Sequence, residues 1–320
     1  MSRFASFLRT AGMVAALALV AWPAAAQNPS KQSAVLVTGA SSGIGRKIAE
    51  LLASKGHFVY AGARRQEDID ALSRIPNMQG IRLDVTSPSE IAAAVQTIRG
   101  AGRGLHGLVN NAGVAILAPL IEVDEKELSW LFDVNVYGPY RVTKAFAPLL
   151  IESKGRITTV GSISGILSGP LFGPYSMSKH AVEAFTDALG AELARFDIKV
   201  SVIEPGNYRS EIGRNTVAQV EAAAERYPGS PYQEQMRNMV KVMGAYETYP
   251  EPDAVAEAAL HALFDPNPKV RYMVVPAARQ AEVTIRKAID ELVQLNQGHQ
   301  FSYDRETLIR MLDSSLARHK

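Results

Sequence analysis

The chain of 320 residues has no cysteine and only six histidines. Without thiols there can be no disulfide framework, thiolate nucleophile or cysteine-bound zinc, and the histidines fall at no metal-ligand spacing. Cysteine usage therefore says nothing about redox compartment. Long runs of one charge are also missing: 34 basic and 32 acidic residues are interspersed, for a formal net charge of +2. That pattern carries no electrostatic footprint for nucleic acid and points to a small-molecule partner. The apolar run Ala11 to Trp22, "AGMVAALALVAW", holds twelve residues, too few for a comfortable membrane span.

Around that run the chain has the order of a secretory leader. Arg3 and Arg9 precede it, and "PAAAQ" follows, with small residues at Ala24 and Ala26 before Gln27. Residues 1–26 are expected to be a cleaved signal peptide of an exported, periplasmic protein whose mature chain begins near Gln27. Its removal takes two arginines and leaves 32 basic against 32 acidic residues. Two alternatives stay open. One is an uncleaved leader that anchors the protein and gives it membrane contact; the other is a start placed too far upstream of a cytoplasmic protein.

Apolar residues make up 47% of the chain, enough for a substantial core. From Ser33 onward, short β-branched and aliphatic runs alternate with helix-period segments. The runs are 34–39, 57–63, 80–85, 107–113, 155–162, 198–206 and 270–276. Near-continuous apolar strands separated by helices predict a doubly wound α/β fold with a seven-stranded parallel sheet, in one domain spanning 33–276. Residues 207–249 carry several tyrosines and methionines and break at "YPGSPY" (227–232), which predicts a mobile substrate cap. Residues 277–320 form a C-terminal extension with helical spacing over 281–295 and 304–319, joined through Gly298.

The first strand runs into "TGASSGIG", Thr38 to Gly45. Glycines at 39, 43 and 45, with Ser41, Ser42 and Ile44 between them, suit a sharp strand-to-helix turn whose free N–H groups receive a pyrophosphate. Further along, "YSMSK" places Tyr175 and Lys179 four positions apart, on one helix face. An ammonium beside a phenol favours the phenolate, so Lys179 is expected to lower the pKa of Tyr175 toward usefulness as an acid or base.

Taken together, these motifs resemble the short-chain dehydrogenase/reductase family. Its Gly-x-x-x-Gly-x-Gly spacing is matched by Gly39, Gly43 and Gly45. The likeness continues through "LDV" with Asp84, "NNAG" at 110–113, "NVYG" with Asn135, "GSISG" with Ser162, "YSMSK" and "PGNYRS" at 205–210. The Gly-x-x-Gly-x-x-Gly pattern of the sugar-nucleotide-modifying members is absent, which argues against epimerase or dehydratase chemistry. The resemblance implies that Tyr175 exchanges a proton with the substrate oxygen and that Lys179 tunes Tyr175 and bonds the nicotinamide ribose. It further implies that Asn135 holds a water linking Lys179 to solvent. For Asn135 a helix-bending amide that only satisfies backbone is the bland alternative.

Ser162, at a strand end, can hold the substrate oxygen, with Ser164 as the neighbouring alternative. Asp84 should meet the adenine edge and Val85 its face, and Asn110, Asn111, Ala112 and Gly113 should shape the wall against the ribose. Pro205 and Gly206 should line the nicotinamide side, and Ser210 stands where many relatives have threonine. After the second strand, "YAGARR" has Ala63 where an acidic residue would bind the ribose 2′-hydroxyl of NAD, followed by Arg64 and Arg65. A guanidinium can grip a 2′-phosphate bidentately, so NADP(H) is preferred and NAD(H) remains possible.

The expected activity is hydride transfer to a carbonyl or from a secondary alcohol, with a lipophilic, retinoid- or steroid-like substrate suggested by the stretch after Lys179 and by "DPNPKVRYMVV". An NAD-linked alcohol dehydrogenase and a nucleotide-binding sensor without turnover are the rivals. The family often pairs subunits through the helices at roughly 124–152 and 174–195, so a homo-oligomer is expected.

Overall fold

The computed structural model describes residues 32–226 and 228–318, so the expected leader at 1–26 lies outside the described residues. Seven strands form one sheet: Ala34–Val37 (β1), Phe58–Ala63 (β2), Met78–Arg82 (β3), Gly107–Asn110 (β4), Arg156–Val160 (β5), Lys199–Pro205 (β6) and Arg271–Val274 (β7). Their order is β3-β2-β1-β4-β5-β6-β7, and every pairing is parallel. A parallel sheet needs cover on both faces. One face packs on Gly43–Ser54 (α1), Gln66–Ser73 (α2) and Asp253–Phe264 (α9). The other packs on Pro88–Gly100 (α3), on Glu125–Phe132 (α4) continued by Gly138–Glu152 (α5), and on Gly173–Leu193 (α6).

Strand β1 shows why its run is apolar without alternation. Val35 and Val37 join Ile48, Leu52 and Leu263 on one face, while Ala34 and Leu36 join Phe146 and Leu150 on the other. None of its four residues is more than 1% exposed. The chain winds outward from β1 to β3 and then returns to place β4 beside β1. Consecutive connections thus diverge at the carboxyl ends of β1 and β4 and leave a crevice there.

The third strand ends sooner than its run suggests, at Arg82 instead of Val85. Asp84 turns the chain out of the sheet. Its Oδ1 accepts from Thr86 N (2.8 Å) and Thr86 Oγ1 (2.7 Å), and its own N–H goes to Glu90 Oε2 (2.7 Å). A side chain that bonds backbone two residues on competes with the strand ladder. Between α4 and α5 lies a π-helical turn, Asp133–Tyr137, that keeps 125–152 continuous. The stretch read as a cap folds into Glu211–Arg226 (α7) and Gln233–Met243 (α8), which meet Leu117, Leu171, Phe172 and Tyr175 through Val220, Met236 and Met243. Ala278–Leu295 (α10) and Arg305–Arg318 (α11) follow the sheet, with Gly298 at φ +73° between them.

Gly80 on β3 has no room for a side chain. A Cβ there would sit 2.2 Å from the carbonyl oxygen and 2.9 Å from the carbonyl carbon of Ile69 on α2, backbone atoms that cannot rotate away. Gly80→Ala is expected to cost about 1–3 kcal/mol, read as a lower denaturant midpoint at unchanged slope; an unchanged midpoint would show that α2 is free to shift.

Candidate active site

A cavity of about 720 Å³ opens along the carboxyl ends of the strands. At one end the β1–α1 turn forms a cradle. Gly39 and Gly43 have φ of +63° and +54°, a left-handed backbone that side chains disfavour. A Cβ at Gly45 would lie 2.2 Å from Asn111 Nδ2 and 2.4 Å from Gly39 O. Ser42 caps α1 without a side-chain hydrogen bond, and the first turn of α1 holds no acidic residue. The helix therefore presents its N–H groups and the positive end of its dipole to the cavity.

Thr38 and Asn111 tie this turn to the end of β4. Thr38 Oγ1 accepts from the backbone N–H of Asn111 and of Ala112, both at 3.0 Å, and Asn111 Nδ2 donates to the carbonyls of Thr38 (2.9 Å) and Gly39 (3.0 Å). Thr38 did not emerge from the sequence, because a threonine ending a strand reads as ordinary β propensity.

Most expected cofactor residues line the cavity: Ser41, Ser42 and Ile44 in the turn, Arg64 after β2, Asp84 and Val85 after β3, Asn111 to Gly113 after β4, and Pro205, Gly206 and Ser210 after β6. Two stand elsewhere. Arg65 is turned to Asp68 in a two-bond pair, Nε to Oδ2 at 2.8 Å and Nη2 to Oδ1 at 2.9 Å, so of the two arginines only Arg64 faces the cavity. Asn110, 2% exposed, lies behind the wall and donates from Nδ2 to Thr143 Oγ1 at 2.9 Å.

At the other end Ser162, Tyr175 and Lys179 converge. Pro174 in the first turn starts α6 where a missing N–H costs nothing, and the helix then delivers Tyr175 and Lys179 to the same face. Ser162 follows β5, and its hydroxyl accepts from Ser164 N (3.1 Å) and bonds the Tyr175 phenol. Ser164 lines the cavity too, but the contact to the phenol belongs to Ser162.

Tyr175 is half-buried by surface area, because its ring faces the cavity, yet its hydroxyl lies in surroundings poor in water. Burial pushes the phenol up to about 12, against the Ser162 hydrogen bond. Burial also brings Lys179 down to about 8, opposed by the charge of Glu183. The expected net depression of Tyr175 by Lys179 is thus corrected: burial raises the phenol, and the ammonium donates to Val160 O at 2.9 Å while standing 5.7 Å from the phenol ring centre. A phenol protonated through neutrality is a proton donor to an oxygen held beside Ser162.

Asn135, 2% exposed, sits in the π-helical turn. Its amide clamps Val114, accepting from the N–H and donating to the carbonyl at 2.8 Å each, and Nδ2 also lies 3.0 Å from Ser178 Oγ. That bridge joins the helix 125–152 to the loop after β4 and to α6, so backbone satisfaction and site assembly are one function. An apolar part of the cavity wall is made by Leu117, Trp130, Phe172 and Met243, and α10 adds Lys287. None of these five carried a motif.

The family model for short chain dehydrogenases matches residues 33–221. The NADPH-dependent 3-dehydrocapnine reductase of Ornithobacterium rhinotracheale is 36% identical over 251 residues, covering 75% of this chain and 87% of the reductase. The mitochondrial D-beta-hydroxybutyrate dehydrogenase of Rattus norvegicus is 32% identical over 261 residues, covering 75% and 76%. A solved variant of actinorhodin polyketide ketoreductase with NADPH superposes with a TM-score of 0.66 at 28% identity, covering 78% of this chain and 98% of that one. With the glycine cradle at one end of the cavity and the Ser162–Tyr175 contact at the other, the chain belongs to the short-chain dehydrogenase family of oxidoreductases, which act on alcohol and carbonyl groups with a nicotinamide cofactor.

Proposed function

We propose that the protein is an NADP(H)-dependent oxidoreductase that interconverts a lipophilic ketone or aldehyde and its alcohol. One observation carries this reading: the Ser162–Tyr175–Lys179 set shares a cavity with a phosphate cradle and Arg64. The glycine turn and the N-terminus of α1 fit the pyrophosphate, since Gly39 and Gly43 hold the turn at positive φ and the free N–H groups of α1 face the cavity, and Arg64 would hold a 2′-phosphate. When bound, the nicotinamide supplies the hydride for carbonyl reduction and accepts it in the reverse direction.

The chain's own groups do the rest. Ser162 holds the carbonyl oxygen, and Tyr175 donates its phenolic proton to that oxygen as negative charge develops there. Lys179, charged below about pH 8, stabilises the phenolate left behind. The apolar wall of Leu117, Trp130, Phe172 and Met243 supports a lipophilic substrate and keeps water from the reacting atoms. The exposed rings of Tyr137 and Tyr140 and the exposed Met177 support a homo-oligomer formed across the helices 125–152 and α6. The order of charge, apolar run and small residues at 1–26 supports export.

Tyr175→Phe is expected to abolish turnover of a carbonyl panel while NADPH affinity, measured by fluorescence titration, stays within several-fold of wild type. Substantial residual kcat would remove Tyr175 from its role. Arg64→Ala is expected to raise KM for NADPH over that for NADH by roughly tenfold to a hundredfold, the loss of a charge-assisted contact of about 1.5–3 kcal/mol. Equal effects on both cofactors would show that Arg64 does not read the 2′-phosphate.

A further inference from the structure

Behind the wall formed by the β5 and β6 ends lie two carboxyl groups that the chemistry above does not use. Glu204, the residue before Pro205 on β6, is 2% exposed. Glu183 stands on α6 one turn beyond Lys179. Oε1 of each is buried and receives no hydrogen bond from an N–H or hydroxyl group. Arg271 on β7 reaches both, with Nε 3.1 Å from Glu183 Oε2 and 3.7 Å from Glu204 Oε1, while its Nη2 lies 2.7 Å from Asp187 Oδ2. One part-exposed guanidinium, shared with the exposed Asp187, is thus, among the described residues, the one cation within ion-pair distance of the two buried carboxyl groups, too little charge to favour ionising both out of water. The two side chains lie within hydrogen-bonding reach of each other, and a proton on one makes it a donor to the other.

The cluster presses on the parts that build the active site. Cβ atoms placed on Gly165 and Gly161 would lie 2.9 Å and 3.2 Å from Glu183 Oε1, so the turn carrying Ser162 rests on this carboxyl group. The Glu183 charge also supports the Lys179 ammonium against burial. The charged groups facing the cluster are Lys179 and Asp187 on α6 and Arg271 on β7. Strand β5 brings only Arg156, bonded at its far end to the carbonyls of Ala262 and Asp265, the turn 163–165 has no titratable group, and His261 of α9 bonds Tyr272 on the other face of the sheet.

We propose that Glu183 and Glu204 are positioning residues, a proton-sharing acid pair that holds the Ser162 turn and the Pro205–Gly206 strand end in register with the helix carrying Tyr175 and Lys179. The proposal rests on the roles assigned above to Ser162, Tyr175 and Lys179. Burial, then the charge and hydrogen bond of Glu183, push Glu204 up to about 7, opposed by Arg271, and burial moves Glu183 upward as well. The proton belongs to the pair, with Glu204 as its donor side.

A folded-state pKa above the ordinary 4.5 means that this contribution to stability is fully present below that value and is lost as pH rises through about 7. Three readouts on the full chain test the proposal. Without cofactor, wild type is expected to show a Tm that falls as pH rises from 4.5 to about 7, and an infrared band of a protonated carboxyl that disappears as pH rises through about 7. With NADPH, kcat is expected to fall there too, at steady KM for NADPH. Glu204→Gln keeps a neutral donor, so below about pH 6 its kcat is expected within about threefold of wild type, its carboxyl band absent, and the decline of both Tm and kcat flattened.

Glu183→Gln, which removes the acceptor charge, is expected to flatten the same profiles and serves if Glu204→Gln does not fold. The proposal is overturned if wild type has no titrating carboxyl band, or if the variants keep the wild-type pH profiles. It is equally overturned if Tm flattens while the kcat profile stays, because the pair would then be structural only. Retained turnover in Tyr175→Phe would instead sink the functional reading and leave the infrared and Tm results standing.

Discussion

All seven strands run in the same direction and the sheet is covered on both faces, so the strand ends are where functional groups can meet both the sheet and a ligand. The reversal of winding between β1 and β4 opens the carboxyl end, and six parts of the site continue strands: the glycine turn after β1, Arg64 after β2, Asp84 after β3, Asn111 after β4, Ser162 after β5 and Pro205–Gly206 at the end of β6. The rigid ladder below supplies the precision. The β1 and β4 ends are locked by Thr38 and Asn111, and the loop after β4 is locked to two helices by Asn135.

Within that crevice burial competes with charge, and it wins at each titratable group of the proton-transfer region. It raises the Tyr175 phenol, lowers the Lys179 ammonium and raises the Glu183 and Glu204 carboxyls. Removal from water is the largest cause of each shift, and each favours the neutral form. The ammonium keeps charge through its carbonyl partner Val160 and the nearby Glu183, while the phenol keeps its proton for an oxygen beside Ser162.

The helices beyond the sheet give the cavity its second half. Helices α7 and α8 fold over Tyr175 with Val220, Met236 and Met243, and α10 brings Lys287 to the edge. Lys287 is also paired with Glu291 one turn on. Neither contribution is visible as a motif, because an apolar residue on an amphipathic helix looks the same whether it faces a core or a substrate.

The strands, the glycine turn and the Tyr175–Lys179 spacing were legible in the sequence because each is a local requirement. A doubly buried strand must be continuously apolar, a turn at φ near +60° takes glycine, and residues four apart share a helix face. Arg64 and Arg65 were equivalent in the sequence, and only folding separated them, by placing Asp68 one helical turn from Arg65. The balance at Tyr175 was likewise undecidable from spacing, since it depends on how much water the assembled walls exclude. The meeting of Glu183, Glu204 and Arg271 joins residues far apart in the chain. Proximity of that kind is set by the order of strands in the sheet, which a single sequence does not encode in any local pattern.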